Sequence, residues 1–276
     1  MTEPTEQRHA VVTGAGSGLG RAFCLHLARD RWHLTLADLD AAGAEQTLAA
    51  VVAAGGSGQV EPLDVADADA WQRLHDKLRS EWSQFDLLVN NAGVCASGEL
   101  GAGSLDNFRH VMDVNFRGAY YGCHTFAPWL KQQGTGHMIN VASLFGLLSA
   151  PTMGAYAASK AAVVSLSETL FAELRPHGVG VTVVAPGFFA TRLLEQGQFH
   201  LPEQRRLAER YMRRARLTAD DVAARTLVAV QNGRLYVVLG RRARWLWRWK
   251  RLAPTKLLRG VAFWHRRKMR QVVSEA

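Results

Sequence analysis

Seven short apolar segments alternate with longer segments of helical periodicity, and this pattern restricts the fold more than any other feature. The strand-like segments are 9–14, 33–37, 58–64, 86–90, 136–142, 179–186 and 235–240. Apolar residues recur at helical spacing in 19–31, 67–82, 105–131, 154–175 and 219–231. Such alternation predicts an α/β, doubly wound parallel sheet of seven strands with helices on both faces and right-handed crossovers.

The composition fits one large domain with an appendage. The chain has 276 residues, and 48% of them are apolar. Its three cysteines (Cys24, Cys95 and Cys123) match neither a disulfide framework nor a zinc-ligand spacing, so no metal site is expected. The polar N-terminus lacks the features of a signal peptide, and no apolar run approaches the roughly 20 residues that span a bilayer. We therefore expect a cytoplasmic protein.

A glycine-rich loop, 13-TGAGSGLGR-21, follows the first predicted strand. Its glycines, Gly14, Gly18 and Gly20, fit neither the G-x-G-x-x-G fingerprint nor the P-loop pattern. Glycines nevertheless let backbone N–H groups approach a pyrophosphate, and the N-terminus of the following helix adds partial positive charge. A tight turn is the alternative, but the position between a strand and a helix favours phosphate binding.

Asp38 ends the second predicted strand, 18 residues after Gly20. A carboxylate there can accept hydrogen bonds from the adenosine ribose hydroxyls and would repel a 2′-phosphate. Positions 17 and 39 hold Ser17 and Leu39 rather than a basic residue. NAD is therefore favoured over NADP. Asp38 could instead cap the next helix, but Asp40 is better placed for that role.

Tyr156 and Lys160 are four residues apart on one helix face, a spacing that also occurs by chance. The other motifs of the chain give the pair its meaning. They are TGAGSGLG (13–20), DVAD (64–67), NNAG (90–93), VNFRG (114–118), NVASLFG (140–146) and PGFFAT (186–191). Together they resemble the short-chain dehydrogenase/reductase family of single-domain type, over about residues 8–240. Ala142 is a small departure, since many members have a second serine there.

The resemblance implies a Rossmann-type sheet and four catalytic residues. Tyr156 would exchange a proton with the substrate oxygen, and Lys160 would lower the phenol pKa from about 10 and bind the nicotinamide ribose. Ser143 would stabilise charge on the substrate oxygen. Asn115 would hold a water that connects Lys160 to solvent.

The cofactor contacts come partly from the residues and partly from the resemblance. They are Gly14, Ser17, Gly18, Leu19, Gly20, Asp38, Leu39, Asp64, Val65, Asn91, Ala92, Gly93, Tyr156, Lys160, Pro186, Gly187 and Thr191. For Asn91, Gly93 and Pro186, a turn-forming role is the alternative.

Apolar residues dominate the segments that form the substrate region in this family. They are Val94, Leu144, Phe145, Leu147, Leu148, Met153, Phe188, Phe189, Leu193 and Leu194. Such a lining favours a bulky apolar alcohol or ketone that is steroid-like, terpenoid or long-chain, although several side chains could belong to the core. We expect 195–216 to form a mobile helical lid.

The C-terminal segment differs sharply from the body of the chain. Residues 241–276 hold 12 Lys/Arg and one acid, whereas residues 1–240 carry a net charge of −2. We therefore divide the chain into a catalytic domain, 1–240, and a basic helical extension, 241–276. The segment 241–270 could lie in a membrane interface or pack on its own or a neighbouring subunit. Nucleic-acid binding is less favoured, because the body is acidic.

The sequence thus predicts an NAD-dependent oxidoreductase that interconverts an apolar secondary alcohol and its ketone. The alternative is a catalytically idle NAD-binding module that acts at membranes through its tail. The resemblance also implies a homodimer or homotetramer.

Overall fold

The computed structural model describes residues 7–189, 192–195 and 197–274. Its strands are β1 (His9–Thr13), β2 (His33–Asp38), β3 (Ser57–Pro62), β4 (Leu87–Asn90), β5 (Ala96–Ser97), β6 (His137–Val141), β7 (Gly180–Ala185), β8 (Gln198–Phe199) and β9 (Tyr236–Val238). Seven of them form a parallel sheet in the order β3-β2-β1-β4-β6-β7-β9, and β5 pairs with β8. The seven-stranded parallel sheet was predicted and is confirmed.

Helices connect the strands and continue beyond the last one. They are α1 (Gly18–Arg29), α2 (Ala41–Ala53), α3 (Ala68–Glu81), α4 (Leu105–Met112), α5 (Gly118–Gln133), α6 (Leu144–Leu147), α7 (Gly154–Leu174), α8 (Pro202–Arg213), α9 (Ala219–Gln231), α10 (Arg241–Leu252) and α11 (Pro254–Ser274). Short 3₁₀ turns span Arg175–His177 and Arg192–Leu194.

The pleat of the sheet divides the core into two layers. In β1, Ala10 and Val12 pack under α1, α2 and α9, whereas Val11 packs under α3, α5 and α7. Successive side chains of a strand point to opposite faces, so a strand covered on both sides is apolar throughout. The order of strands reverses between β1 and β4, which creates a crevice at their carboxyl ends.

Two helices differ from the sequence prediction. The helix expected over 105–131 is interrupted by a π-helical turn at Asp113–Arg117, which divides it into α4 and α5. The helix α2 was expected only from its N-cap position, because its alanine-rich sequence shows little difference in hydrophobicity between the faces of the helix. The Asp40 carboxylate accepts a hydrogen bond from Gly43 N, so Asp40 is the N-cap, as expected.

The basic extension forms α10 and α11, which join at Pro254. The two helices pack on each other, and α11 also packs on α8. Lys250 Nζ donates a hydrogen bond to Leu147 O at 2.7 Å, and Trp247 lies against Tyr236 with ring centroids 5.1 Å apart. The extension is therefore folded onto its own subunit, which was one of the two sequence alternatives. Among the described residues, no helix is long and apolar enough to cross a membrane.

Candidate active site

A large chamber occupies the crevice at the carboxyl ends of the strands. Its volume is about 1510 Å³, and it extends from the glycine loop to the C-terminal helices. Ligand pockets commonly measure roughly 300–1,000 Å³, so this chamber can hold more than one small molecule.

The glycine loop forms one end of the chamber. Gly14 and Gly18 have φ values of 64° and 52°, in the left-handed region that glycine adopts without strain. Gly20 does not line the chamber. A Cβ on Gly20 would lie 2.0 Å from Gly14 O, so this glycine permits close packing of α1 on the loop. No side chain caps the N-terminus of α1 at Ser17, which leaves its N–H groups for an anionic ligand.

Asp38 borders the same end of the chamber and fixes the loop. Its Oδ2 accepts a hydrogen bond from Gly16 N at 2.7 Å, and its Oδ1 accepts one from Asp40 N at 2.9 Å. A carboxylate has about four lone-pair sites, so capacity remains for two ribose hydroxyls. Leu39 beside it is mostly exposed. This set of groups fits the adenosine end of a dinucleotide.

Asn91 has a structural role that the sequence left open. Its Nδ2 donates to Thr13 O at 2.8 Å and Gly14 O at 3.2 Å, so its side chain ties the end of β4 to the glycine loop. The expected cofactor contacts that line the chamber are Gly14, Ser17, Gly18, Leu19, Asp38, Leu39, Asp64, Val65, Asn91, Ala92, Gly93, Tyr156, Lys160, Pro186 and Gly187. Thr191 lies outside the described residues.

Ser143 lies after β6 and begins the short helix α6. Its Oγ accepts a hydrogen bond from Phe145 N at 3.1 Å. This bond uses a lone pair of the Ser143 oxygen, so the hydroxyl proton of Ser143 remains available for a second hydrogen bond. Ser143 is nearly buried and lines the chamber. Ser143 therefore places a hydrogen-bond donor in the wall of the chamber.

Tyr156 and Lys160 lie in the first two turns of α7, and both are buried in the chamber wall. Burial raises the pKa of Tyr156, and the Cys95 thiol adds to this effect, while the Ser143 hydroxyl opposes it. The sequence analysis expected Lys160 to lower this pKa. In the protein alone the balance is the reverse, because removal from water disfavours the phenolate.

The Lys160 ammonium is also poorly solvated. Burial lowers its pKa to about 8, and its Nζ donates a hydrogen bond to Val141 O at 2.9 Å. The site therefore holds a phenol and an amine that are both shifted toward their neutral forms. A site with such shifted groups responds strongly to any charge that enters it.

Asn115 lies at the centre of the π-helical turn, with only 1% of its surface exposed. Its Oδ1 accepts from Val94 N at 2.8 Å, and its Nδ2 donates to Val94 O at 2.9 Å and Ser159 Oγ at 3.1 Å. Asn115 does not line the chamber. A Cβ on Gly93 would lie 3.0 Å from Asn115 Oδ1 and 3.3 Å from Lys160 Nζ, so Asn115 meets Gly93 and Lys160 at the chamber wall.

The far wall of the chamber is mainly apolar and comes in part from α10 and α11, which sequence reasoning did not assign to the site. Of the ten apolar residues expected there, nine line it, and Leu147 instead belongs to the core. The helices α8, α10 and α11 supply the rest, including Leu207, Tyr211, Met212, Trp245, Leu246, Trp249, Leu257, Val261, Trp264 and Met269. Leu257, Val261 and Met269 recur at helical spacing and form an apolar stripe of α11 that the sequence predicts, but the sequence does not show what the stripe packs against.

A row of aromatic rings runs from the catalytic end to the C-terminal helices. Phe145 lies edge-on to Tyr156 at 6.4 Å and to Phe188 at 5.6 Å, measured between ring centroids. Tyr211 stacks on Phe188 at 4.9 Å and on Trp264 at 5.6 Å. These distances are typical of favourable aromatic pairs. The last helix is therefore joined to the reaction centre by packed rings.

Comparisons with known proteins agree with this architecture. The family model described as short chain dehydrogenase matches residues 8–199. The chain belongs to the short-chain dehydrogenase family. A Mycobacterium tuberculosis protein named as an oxidoreductase, SadH, is 35% identical over 243 residues, which cover 87% of this chain and 88% of the relative.

Two further relatives carry more specific names. A short-chain dehydrogenase/reductase from Burkholderia phymatum, solved in complex with NAD, is 35% identical and superposes with a TM-score of 0.84. The alignment covers 89% of this chain and 93% of that one. Cyclopentanol dehydrogenase from a Comamonas species is 30% identical over 186 residues, 67% of this chain and 74% of the relative.

The lowered pKa of Lys160 predicts a pH-dependent stability difference. Its pKa in the folded protein is about 8, below the ordinary value of 10.5. Between pH 8 and pH 10.5, Lys160 is therefore mostly protonated in the unfolded chain and mostly neutral in the folded protein. Folding stability should therefore rise with pH across this window for the native protein. The variant Lys160→Met has an unbranched side chain of similar length without a titratable group, so this contribution is absent.

The measurement is urea unfolding of both proteins at pH 7.5 and pH 9.5. From pH 7.5 to pH 9.5, the free energy of unfolding of the native protein should rise by about 1–2 kcal/mol relative to that of Lys160→Met, since one pKa unit corresponds to about 1.4 kcal/mol. Titration of other groups cancels in the difference. A constant difference between the two proteins would contradict the prediction.

Proposed function

We propose that this protein is an NAD-dependent oxidoreductase that interconverts a bulky, apolar secondary alcohol and its ketone. One observation carries the proposal. Ser143, Tyr156 and Lys160 share one chamber with the glycine loop and Asp38 at one end, and with an aromatic and aliphatic wall at the other.

The nicotinamide cofactor supplies hydride transfer when bound. The N–H groups at the start of α1 and the backbone of the glycine loop would hold its pyrophosphate. Asp38 would accept hydrogen bonds from the adenosine ribose and oppose a 2′-phosphate by charge repulsion, which favours NAD over NADP. The NAD bound to the Burkholderia phymatum relative supports this assignment.

The proton on the substrate oxygen is exchanged with Tyr156. In the direction of alcohol oxidation, Tyr156 in its phenolate form would accept the hydroxyl proton at Oη, while the C–H electron pair leaves the substrate carbon as hydride for the cofactor. Ser143 donates a hydrogen bond to the substrate oxygen and stabilises its partial charge. During ketone reduction, the neutral phenol returns the proton. Burial raises the pKa of Tyr156, so in the protein alone the phenol keeps its proton.

The wall opposite Tyr156 selects an apolar substrate. Phe145, Phe188, Tyr211 and Trp264 form continuous aromatic surface, and burying apolar area against it contributes about 25 cal/mol per Å². The name of the Comamonas relative specifies a cyclic secondary alcohol, which is the same reaction class on a smaller molecule. The chamber volume supports a larger, steroid-like, terpenoid or long-chain compound.

Replacement of Tyr156 by Phe tests the proton-transfer role. The variant keeps the ring and its packing but removes the exchangeable proton. We expect NAD affinity within about twofold of the native value and a fall in kcat of at least about 100-fold, the usual range for loss of an acid–base group. Turnover is followed through the absorbance of the reduced cofactor.

Tyr120→Phe is the matched control, because Tyr120 is half-exposed and does not line the chamber. Its kcat should equal that of the native protein. Unchanged turnover in Tyr156→Phe would exclude the proposed mechanism.

Asp38→Asn tests cofactor choice. Loss of the charge removes the repulsion of a 2′-phosphate and weakens one ribose interaction. The ratio of kcat/KM for NAD to that for NADP should therefore fall by at least about tenfold, as expected for about 1.4 kcal/mol of differential binding. Asp30→Asn removes a charge far from the chamber and should leave the ratio unchanged. An unaltered ratio in Asp38→Asn would remove the argument for NAD.

Trp264→Ala tests the apolar wall. The cavity it creates should reduce kcat/KM for a large fused-ring alcohol by about tenfold or more, and affect cyclopentanol much less. Phe263→Ala is the control in lipid-free assays, because Phe263 is the neighbouring residue but does not line the chamber. Equal losses on large and small alcohols would show that the wall does not select size.

A further inference from the structure

The outer side of α11 is a basic surface that nothing in the folded subunit covers. Its residues are Arg259, Phe263, Arg266, Arg267 and Arg270, which are all exposed and do not line the chamber. We refer to them as the basic face. In the part of the chain that the structure describes, none of these four arginines forms an ion pair.

The basic face was not the surface that the sequence suggested for lipid contact. An interfacial helix ordinarily turns its apolar stripe toward the lipid. Here that stripe, which includes Leu257, Val261 and Met269, lines the chamber. The side of α11 that remains outside carries the positive charge and one large apolar ring, Phe263, which is 69% exposed.

Three half-exposed tryptophans of α10 and α11 also line the chamber, and we call them the rim tryptophans. Trp264 follows Phe263 in the chain, lines the chamber and is half-exposed, so it lies at the edge of the chamber opening. Trp245 and Trp249 of α10 also line the chamber and are half-exposed, and their rings stack on each other with centroids 5.1 Å apart. Tryptophan is enriched where one end of a side chain is apolar and the other is wet, as at a lipid headgroup layer.

The concentration of exposed apolar side chains in this region is high. Of the 14 large hydrophobic residues exposed in the described chain, six lie in α10 and α11. They are Trp245, Trp249, Leu252, Leu258, Phe263 and Trp264. Described residues 241–274 contain 12 Lys/Arg and no Asp or Glu. Exposed apolar residues and the four arginines of the basic face, carried on the same two helices, fit a partner that offers both negative charge and an apolar interior.

We propose that α10 and α11 dock onto the surface of an anionic lipid bilayer. The arginines of the basic face would contact lipid phosphates, while Phe263 and the rim tryptophans enter the headgroup layer. A nucleic acid would satisfy the charge but would not bury Leu252 and Phe263. A second copy placed symmetrically on the basic face would oppose positive charge with positive charge. The inference goes beyond the proposed activity, because vesicle binding can be measured without turnover.

The experiment is co-sedimentation of the full-length protein with vesicles. We expect pelleting with phosphatidylcholine–phosphatidylglycerol vesicles, little pelleting with phosphatidylcholine alone, and release by high salt, since salt screens exposed charges. The variant Arg259→Gln, Arg266→Gln, Arg267→Gln, Arg270→Gln should bind the anionic vesicles at least about tenfold more weakly. Phe263→Ser should weaken binding several-fold without a change in charge.

A second quadruple variant controls for net charge. Arg29→Gln, Arg73→Gln, Arg109→Gln, Lys131→Gln removes the same four charges from exposed positions outside α10 and α11, and its vesicle binding should remain within about twofold of the native value. Circular dichroism and thermal unfolding establish that each variant is folded.

Three outcomes would overturn the proposal. The first is equal loss of vesicle binding in both quadruple variants, or no loss in either. The second is that the native protein does not pellet with anionic vesicles, while the quadruple variant of the basic face has a different oligomeric mass from the native protein. That result would make the basic face a contact between copies. The third is tight binding to duplex DNA without vesicle binding.

Discussion

The buried hydroxyl of Thr13 holds together the part of the molecule on which the site depends. It accepts hydrogen bonds from Asn91 N at 2.9 Å and Ala92 N at 3.0 Å, at the point where the strand order reverses. This contact fixes the end of β4 against the glycine loop. Gly93 follows directly, and its lack of a side chain leaves room for Asn115 and Lys160. One threonine thus connects the cofactor end of the chamber with its reactive end.

Desolvation is the physical cost of this arrangement. Tyr156 and Lys160 are buried, and burial alone moves both pKa values toward the neutral forms. Hydrogen bonds offset part of the desolvation free energy. Lys160 donates to the Val141 carbonyl, and the Asn115 side chain is hydrogen-bonded to the Val94 N–H and C=O groups. The π-helical turn that presents Asn115 belongs to the same hydrogen-bond network. Such turns interrupt helices most often where a side chain has a functional role.

The sequence was sufficient for the sheet and for most of the site. Strand periodicity, the glycine loop and the motifs at strand ends placed Asp38, Ser143, Tyr156 and Lys160, and the structure brings all four to one chamber. These positions follow from local patterns, because parallel strands deliver their carboxyl ends to one edge. The split of the predicted 105–131 helix does not follow from apolar spacing, because one extra residue in a turn barely changes the pattern.

Long-range packing was the part that the sequence left undecided. The apolar stripe of α11 was evident, but a stripe does not reveal whether it faces lipid, another subunit or the chain itself. The structure turns it inward, where Trp264 stacks on Tyr211. Gly20 illustrates the same limit on a smaller scale. Its motif position suggests a ligand contact, yet its neighbour is the carbonyl of Gly14.

The reactive groups and the outer wall of the chamber lie in different parts of the chain. Reactive groups come from the middle of the polypeptide, whereas much of the outer wall comes from its last helix. Substitutions in α11 would therefore change the range of accepted molecules while the reactive groups stay the same.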